Sequence, residues 1–160
     1  MVGARKVVTR SGAGYTLHLD PQERTVVAGL LGELRELQTD PGASDAVRRL
    51  FPVVHPDDPD EEAEYQRLMR EELIASRSAA IDTVVRVMER PGRKVALNDD
   101  EMAAFVKAIN AVRLVLGTVL EVSDDEEEVP PELLETPEYG LYGYLSYVLD
   151  ACVRLLSAGV

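Results

Sequence analysis

The chain has 160 residues, 46% of them apolar, with a mean hydropathy of -0.09 and a formal net charge of -12. That length supports one domain with a hydrophobic core, and the composition excludes an intrinsically disordered chain. The lone cysteine, Cys152, excludes an intramolecular disulfide and a multi-cysteine metal site, and the acidic balance disfavours non-specific binding to nucleic acid.

In chain order, residues 5–10 and 15–19 alternate apolar and polar around Ser11-Gly12-Ala13-Gly14, which predicts a β-hairpin. A lone hairpin is marginal in water, so it is expected to dock on helices. Asp20 then caps a first helix, with Pro21 at its first position and Glu23 at its third, the pattern of a capping box. Val26, Val27, Leu30, Leu31, Leu34 and Leu37 recur at helical spacing, and Pro41-Gly42 stops the helix near Thr39. Residues 44–50 suggest a short helix and the prolines of 51–59 a loop. A second long helix is expected from about Asp60 to Arg90, acidic in its first turn and basic in its last, with a buried stripe from Tyr65, Leu68, Met69 and Leu73 to Met88. Asn98 with Glu101 opens a third helix whose apolar face runs from Met102 to Leu120. A last helix starts at Thr136-Pro137 and runs to about Ser157, with Leu141, Leu145, Val148, Leu149, Cys152, Leu155 and Leu156 inward. The expected fold is mostly α: one domain over 1–160, a single antiparallel bundle of four long helices over 20–158 with a small N-terminal β-hairpin over 1–19.

Charge is unevenly spread. Residues 1–56 carry seven Lys/Arg and six Asp/Glu, whereas 57–160 carry ten and twenty-three. Two acidic runs, Asp57–Glu62 (broken by Pro59) and Asp124–Glu128, flank helices. Carboxylates suit hard cations, but the second run lacks the glycine and alternation of a calcium loop, so both read as solvated or partner-facing surface. His18 and His55 lack metal-ligand spacing, and neither has a nucleophile that sequence places beside it, so no catalytic, cofactor or metal residue is assigned. Cys152 shares a helical face with Leu145, Leu149 and Leu156 and reads as a buried apolar residue.

Tyr139, Tyr142, Tyr144 and Tyr147 crowd one end of the last helix with Gly140 and Gly143 among them. Glycines at that spacing suggest a close helix crossing, and tyrosines so spaced cannot all face inward. These four tyrosines are the candidate partner-binding residues, because tyrosine is favoured at protein interfaces. Arg113 is expected at the edge of the buried face, its stem packed and its guanidinium near a carboxylate.

Three stretches also carry a family resemblance: His55-Pro-Asp-Asp-Pro-Asp-Glu-Glu-Ala-Glu-Tyr65, Ile109-Asn-Ala-Val-Arg-Leu-Val-Leu-Gly-Thr118, and Tyr142-Gly-Tyr-Leu-Ser-Tyr-Val-Leu-Asp-Ala-Cys-Val-Arg-Leu-Leu156. Together they resemble an actinobacterial family of about this length, catalogued as a domain of unknown function, some members of which are described as oxidative-stress-responsive transcriptional regulators. The resemblance implies a cytoplasmic regulator and not an enzyme. It also marks a departure, because members that sense oxidants through paired cysteines have a device that this chain, with Cys152 alone, lacks.

The expectation is therefore a non-enzymatic cytoplasmic regulator acting through protein–protein contacts, in transcriptional regulation of the oxidative-stress response. Its partner would be a protein such as a component of the transcription machinery, and a homo-oligomer is compatible with the same surface. No signal peptide or membrane span is expected, and direct DNA binding through Arg5, Lys6 and Arg10 is the least favoured reading. The alternative is a small-ligand or enzymatic protein with a pocket between helices, lined by Asn110, Arg113 and Tyr65.

Overall fold

The computed structural model describes residues 6–121 and 131–158. Arg5 and the Asp124–Glu128 run lie outside the described residues. The fold is mostly helical, with four long helices and a small antiparallel sheet.

The hairpin forms as predicted, from β1 (Val8–Ser11) and β2 (Gly14–Leu17), with Val8 opposite Leu17 and Ser11 opposite Gly14. Gly12 takes φ +59 in the two-residue loop, where such loops place a glycine. The sequence reading missed a third strand, β3 (Val95–Leu97), which pairs antiparallel with β2. Three residues are too few for alternation to register. A methyl group on Gly14 would sit 2.3 Å from the Leu97 carbonyl oxygen, so this glycine permits the approach of β3.

Helix α1 (Pro21–Leu37) begins with the predicted capping box. The Glu23 N–H donates to Asp20 (2.8 Å), and the Asp20 N–H donates to the Glu23 carboxylate (3.5 Å). Val27, Leu31 and Leu34 are buried, whereas Val26 is exposed. The short helix expected over 44–50 is instead a pair of 3-10 turns, Pro41–Ala43 and Arg48–Leu50. So short a segment cannot repay α-helix nucleation, and its closing N–H groups donate three residues back, Leu50 to Val47 and Phe51 to Arg48.

Helix α2 (Pro59–Met88) starts one residue before the expected position, because Asp58 accepts from the Glu61 N–H and Pro59 fits the first turn. Its buried stripe begins only at Arg77 and continues through Ala80, Ile81, Val84, Val87 and Met88. The first half is different: Tyr65, Met69 and Leu73 are half-buried and Leu68 is exposed. Helix α3 (Asp99–Val119) has the Asn98–Glu101 capping box and supplies the centre of the core with Met102, Phe105, Ile109 and Val112. A one-turn helix, α4 (Pro131–Leu134), precedes α5 (Pro137–Ala158). The Tyr139 N–H donates to the Thr136 hydroxyl at 3.3 Å, as an N-cap threonine should accept. Helix α3 packs on α2 and α5, α1 packs on α2, and β1 lies against α5.

Two arginines are buried among these elements. Arg24 donates from both terminal nitrogens to the carbonyls of Arg90 and Gly92, just past the end of α2. A cation there also meets the negative pole of the helix. The second, Arg77, is described with the site.

Candidate functional site

Helix α5 presents its four tyrosines in four settings. Tyr139 and Tyr142 are half-buried, with ring centroids 6.3 Å apart. The Tyr142 ring lies over Gly117 of α3, where an added Cβ would come within 3.2 Å of it. The Tyr142 hydroxyl accepts from Arg113 at 3.5 Å. Tyr144 reaches α1 and donates to the Glu23 carboxylate at 2.8 Å. Tyr147 alone of the four is exposed, at 47%. The close helix approach expected at Gly140 and Gly143 is not there: an added Cβ at either meets nothing within 4 Å. It lies at Gly117, where the space is filled by Arg49 and Tyr142.

Tyr147, Ala151, Leu155 and Ala158 recur at helical spacing and form one stripe. With Lys6–Arg10 they line a groove of ≈ 720 Å³. The first three residues of β1 and the two before it contribute to its wall, beside α5. Among the described strands β1 pairs only with β2, and its other edge is the kind that accepts an added strand. The rim is basic. Lys6, Arg10 and Arg154 border it, with Arg154 paired to Asp150 at 2.9 Å and Arg10 donating to the Leu155 carbonyl at 3.5 Å.

A second concavity, of ≈ 310 Å³, lies between the 48–52 turn, the first half of α2 and α3. It brings together Tyr65 and Asn110, two of the three residues suggested for a pocket between helices. Arg113 does not line it; it donates to Asn110 at 3.3 Å and to Tyr142, where a carboxylate partner was expected. The cavity is also lined by Arg49, Arg77 and Lys107, and by no carboxylate. Sequence reading passed over these three. The signal was available for Arg77, which stands in helical register with Leu73, Ala80, Ile81 and Val84. Arg77 is 8% exposed, and burial pulls its pKa below the usual arginine value. It donates from Nη2 to the Leu50 carbonyl at 3.0 Å and lies 5.3 Å from the Phe51 ring centroid. Its Nη1 has no hydrogen-bond partner among the described residues.

Cys152 is fully buried, and loss of solvation pushes its thiol up to about 12. A thiol in that state is protonated and poorly nucleophilic. His18 Nε2 lies 2.8 Å from the Thr9 hydroxyl, and His55 stands edge-on to Tyr65, 5.8 Å between centroids. Glu62, in the first acidic run, accepts from the backbone N–H groups of His55 and Val54 and from the Gln66 side chain, and these bonds hold its carboxyl below the usual range. It is thus a loop-fixing group. Among the described residues no three His, Cys, Asp or Glu side chains converge as metal ligands. Helix α3 is long and apolar enough to cross a membrane by composition, with half of its most apolar window buried in the fold.

A family model described as a domain of unknown function (DUF2017) matches residues 4–156. Among curated proteins and solved structures nothing matches.

Proposed function

The chain belongs to the DUF2017 family, a domain of unknown function, and from that footing we propose that it is a non-enzymatic cytoplasmic regulator that works by binding a protein. The four long helices are taken to run as one antiparallel bundle, with the outer face of α5 as the contact surface. The partner is a component of the transcription machinery, in the setting of the oxidative-stress response. One observation carries the reading: exposed Tyr147 tops an apolar stripe that lines one groove with β1, a strand whose outer edge pairs with no other described strand, so a side-chain anchor and backbone hydrogen-bonding groups lie close together. The resemblance of 55–65, 109–118 and 142–156 to an actinobacterial family, some members of which are described as transcriptional regulators, is what suggests the transcriptional setting. Buried Cys152 implies that any response to oxidants is relayed by the partner and not sensed by this chain's thiol.

The structure changes which tyrosine to test. Tyr142 and Tyr144 hold α5 to α3 and α1, whereas Tyr147 does not enter the core. Tyr147→Ala and Leu155→Glu should abolish retention of transcription proteins from lysate while Tyr147→Ala keeps the native circular-dichroism spectrum and a cooperative melt. Wild-type retention by both variants would remove the α5 groove as the contact surface.

A further inference from the structure

Arg24 and Arg77 are both buried arginines, but they are satisfied differently. Each leaves one buried guanidinium nitrogen without a partner among the described residues, but the charge of Arg24 is met by two carbonyls at the negative end of α2. Arg77 has one carbonyl, the face of the Phe51 ring and a buried Nη1 without a partner, and no carboxylate pairs with it among the described residues. A buried guanidinium left in that state is costly, and such groups are ordinarily paired. Arg77 lines the ≈ 310 Å³ cavity together with Lys107, whose ammonium donates to the Ser76 hydroxyl. Arg49 borders the same space from the turn, and Asn110 adds a neutral polar group. In a chain with a net charge of -12, a concavity lined by three cations and no acid is a local inversion of sign.

We propose that this cavity binds a small organic phosphate, its dianionic head held by Arg77 and Lys107 with Arg49 at the margin, and its apolar body against Tyr65, Leu73 and Leu114. Two observations set the class of ligand. Paired cations with a forked guanidinium suit a phosphate dianion better than a single carboxylate. Apart from Asn110 the remaining wall is carbon-rich, so an inorganic ion alone would leave it without a contact. The net negative charge of the chain opposes an anion at long range, so attraction must come from groups at contact distance. The site is separate from the α5 groove, and neither depends on the other.

The test is calorimetric titration of the full chain with phenyl phosphate, inorganic phosphate and benzoate at constant ionic strength. Saturable one-to-one binding of phenyl phosphate is expected, tighter than either comparator. Lys107→Ala should weaken it about tenfold or more, as should Arg77→Met. Arg35→Ala, which removes a surface cation paired with Asp82, should leave it unchanged. Should Arg77→Met fail to fold by circular dichroism, Lys107→Ala decides alone, since Lys107 is exposed. No saturable binding of phenyl phosphate overturns the proposal. So does benzoate binding equally well, or an equal loss in Lys107→Ala and Arg35→Ala.

Discussion

At the scale of single residues, burial and hydrogen bonding separate side chains that look alike in sequence. Cys152 has no accessible surface and a thiol pushed up to about 12, so the thiolate is scarce at neutral pH. Native protein should therefore resist alkylation by iodoacetamide, with full modification only in guanidinium, as read by intact mass. Tyr144 and Tyr147 are three positions apart on one helix, yet Tyr144 holds the Glu23 carboxylate within the α1 capping box. Tyr144→Phe should cost about 1 kcal/mol in urea denaturation. For Glu101, burial alone would raise the carboxyl, but hydrogen bonds from Arg90 and from the Asn98 N–H outweigh it, and the folded pKa is lowered. A lowered folded pKa contributes stability that is present above the ordinary value of 4.5 and is lost as pH falls below it through the folded value. Glu101→Gln should therefore lower stability at neutral pH and shrink the loss seen on acidification, with the two proteins converging at low pH.

At the scale of elements, the sequence was most legible where a cap and a long apolar period coincide. Asp20-Pro21-Glu23 and Asn98-Glu101 place the starts of α1 and α3 because each box satisfies orphan N–H groups by local chemistry alone. Legibility failed where structure depends on distant partners. β3 is a strand because β2 pairs with it. Apolar period over Tyr65–Leu73 suggested burial, but the surrounding structure covers that half of α2 only in part. The α5 glycines suggested a crossing that lies instead at Gly117. Glycine substitutions separate these cases. Gly140→Ala and Gly143→Ala meet open space and should each stabilise by about 0.5–1 kcal/mol. Gly14→Ala meets the Leu97 backbone oxygen at 2.3 Å and should destabilise, since neither strand can withdraw without breaking the β2–β3 ladder. Thermal melts of the three variants check both signs.

At the scale of the molecule, charge and shape divide the surface into regions with different uses. The chain as a whole is acidic, and basic concavities interrupt it, among them one beside α5 and one beneath the 48–52 turn. The tyrosine cluster was visible in sequence, but not that only Tyr147 is exposed, because that depends on where α1 and α3 meet α5. The groove and the cavity were invisible for the same reason: each assembles residues from segments far apart in the chain. An acidic chain with a basic-rimmed groove would approach an acidic partner only where the rim is presented, which favours a fixed docking orientation. The most direct test of the central claim is photocrosslinking in cells, with benzoylphenylalanine in place of Tyr147 and, as a control, of exposed Leu68 on α2. Crosslinks to one transcription component from position 147 and not from 68 are the predicted result. No crosslink from 147, or the same adducts from both positions, would contradict it.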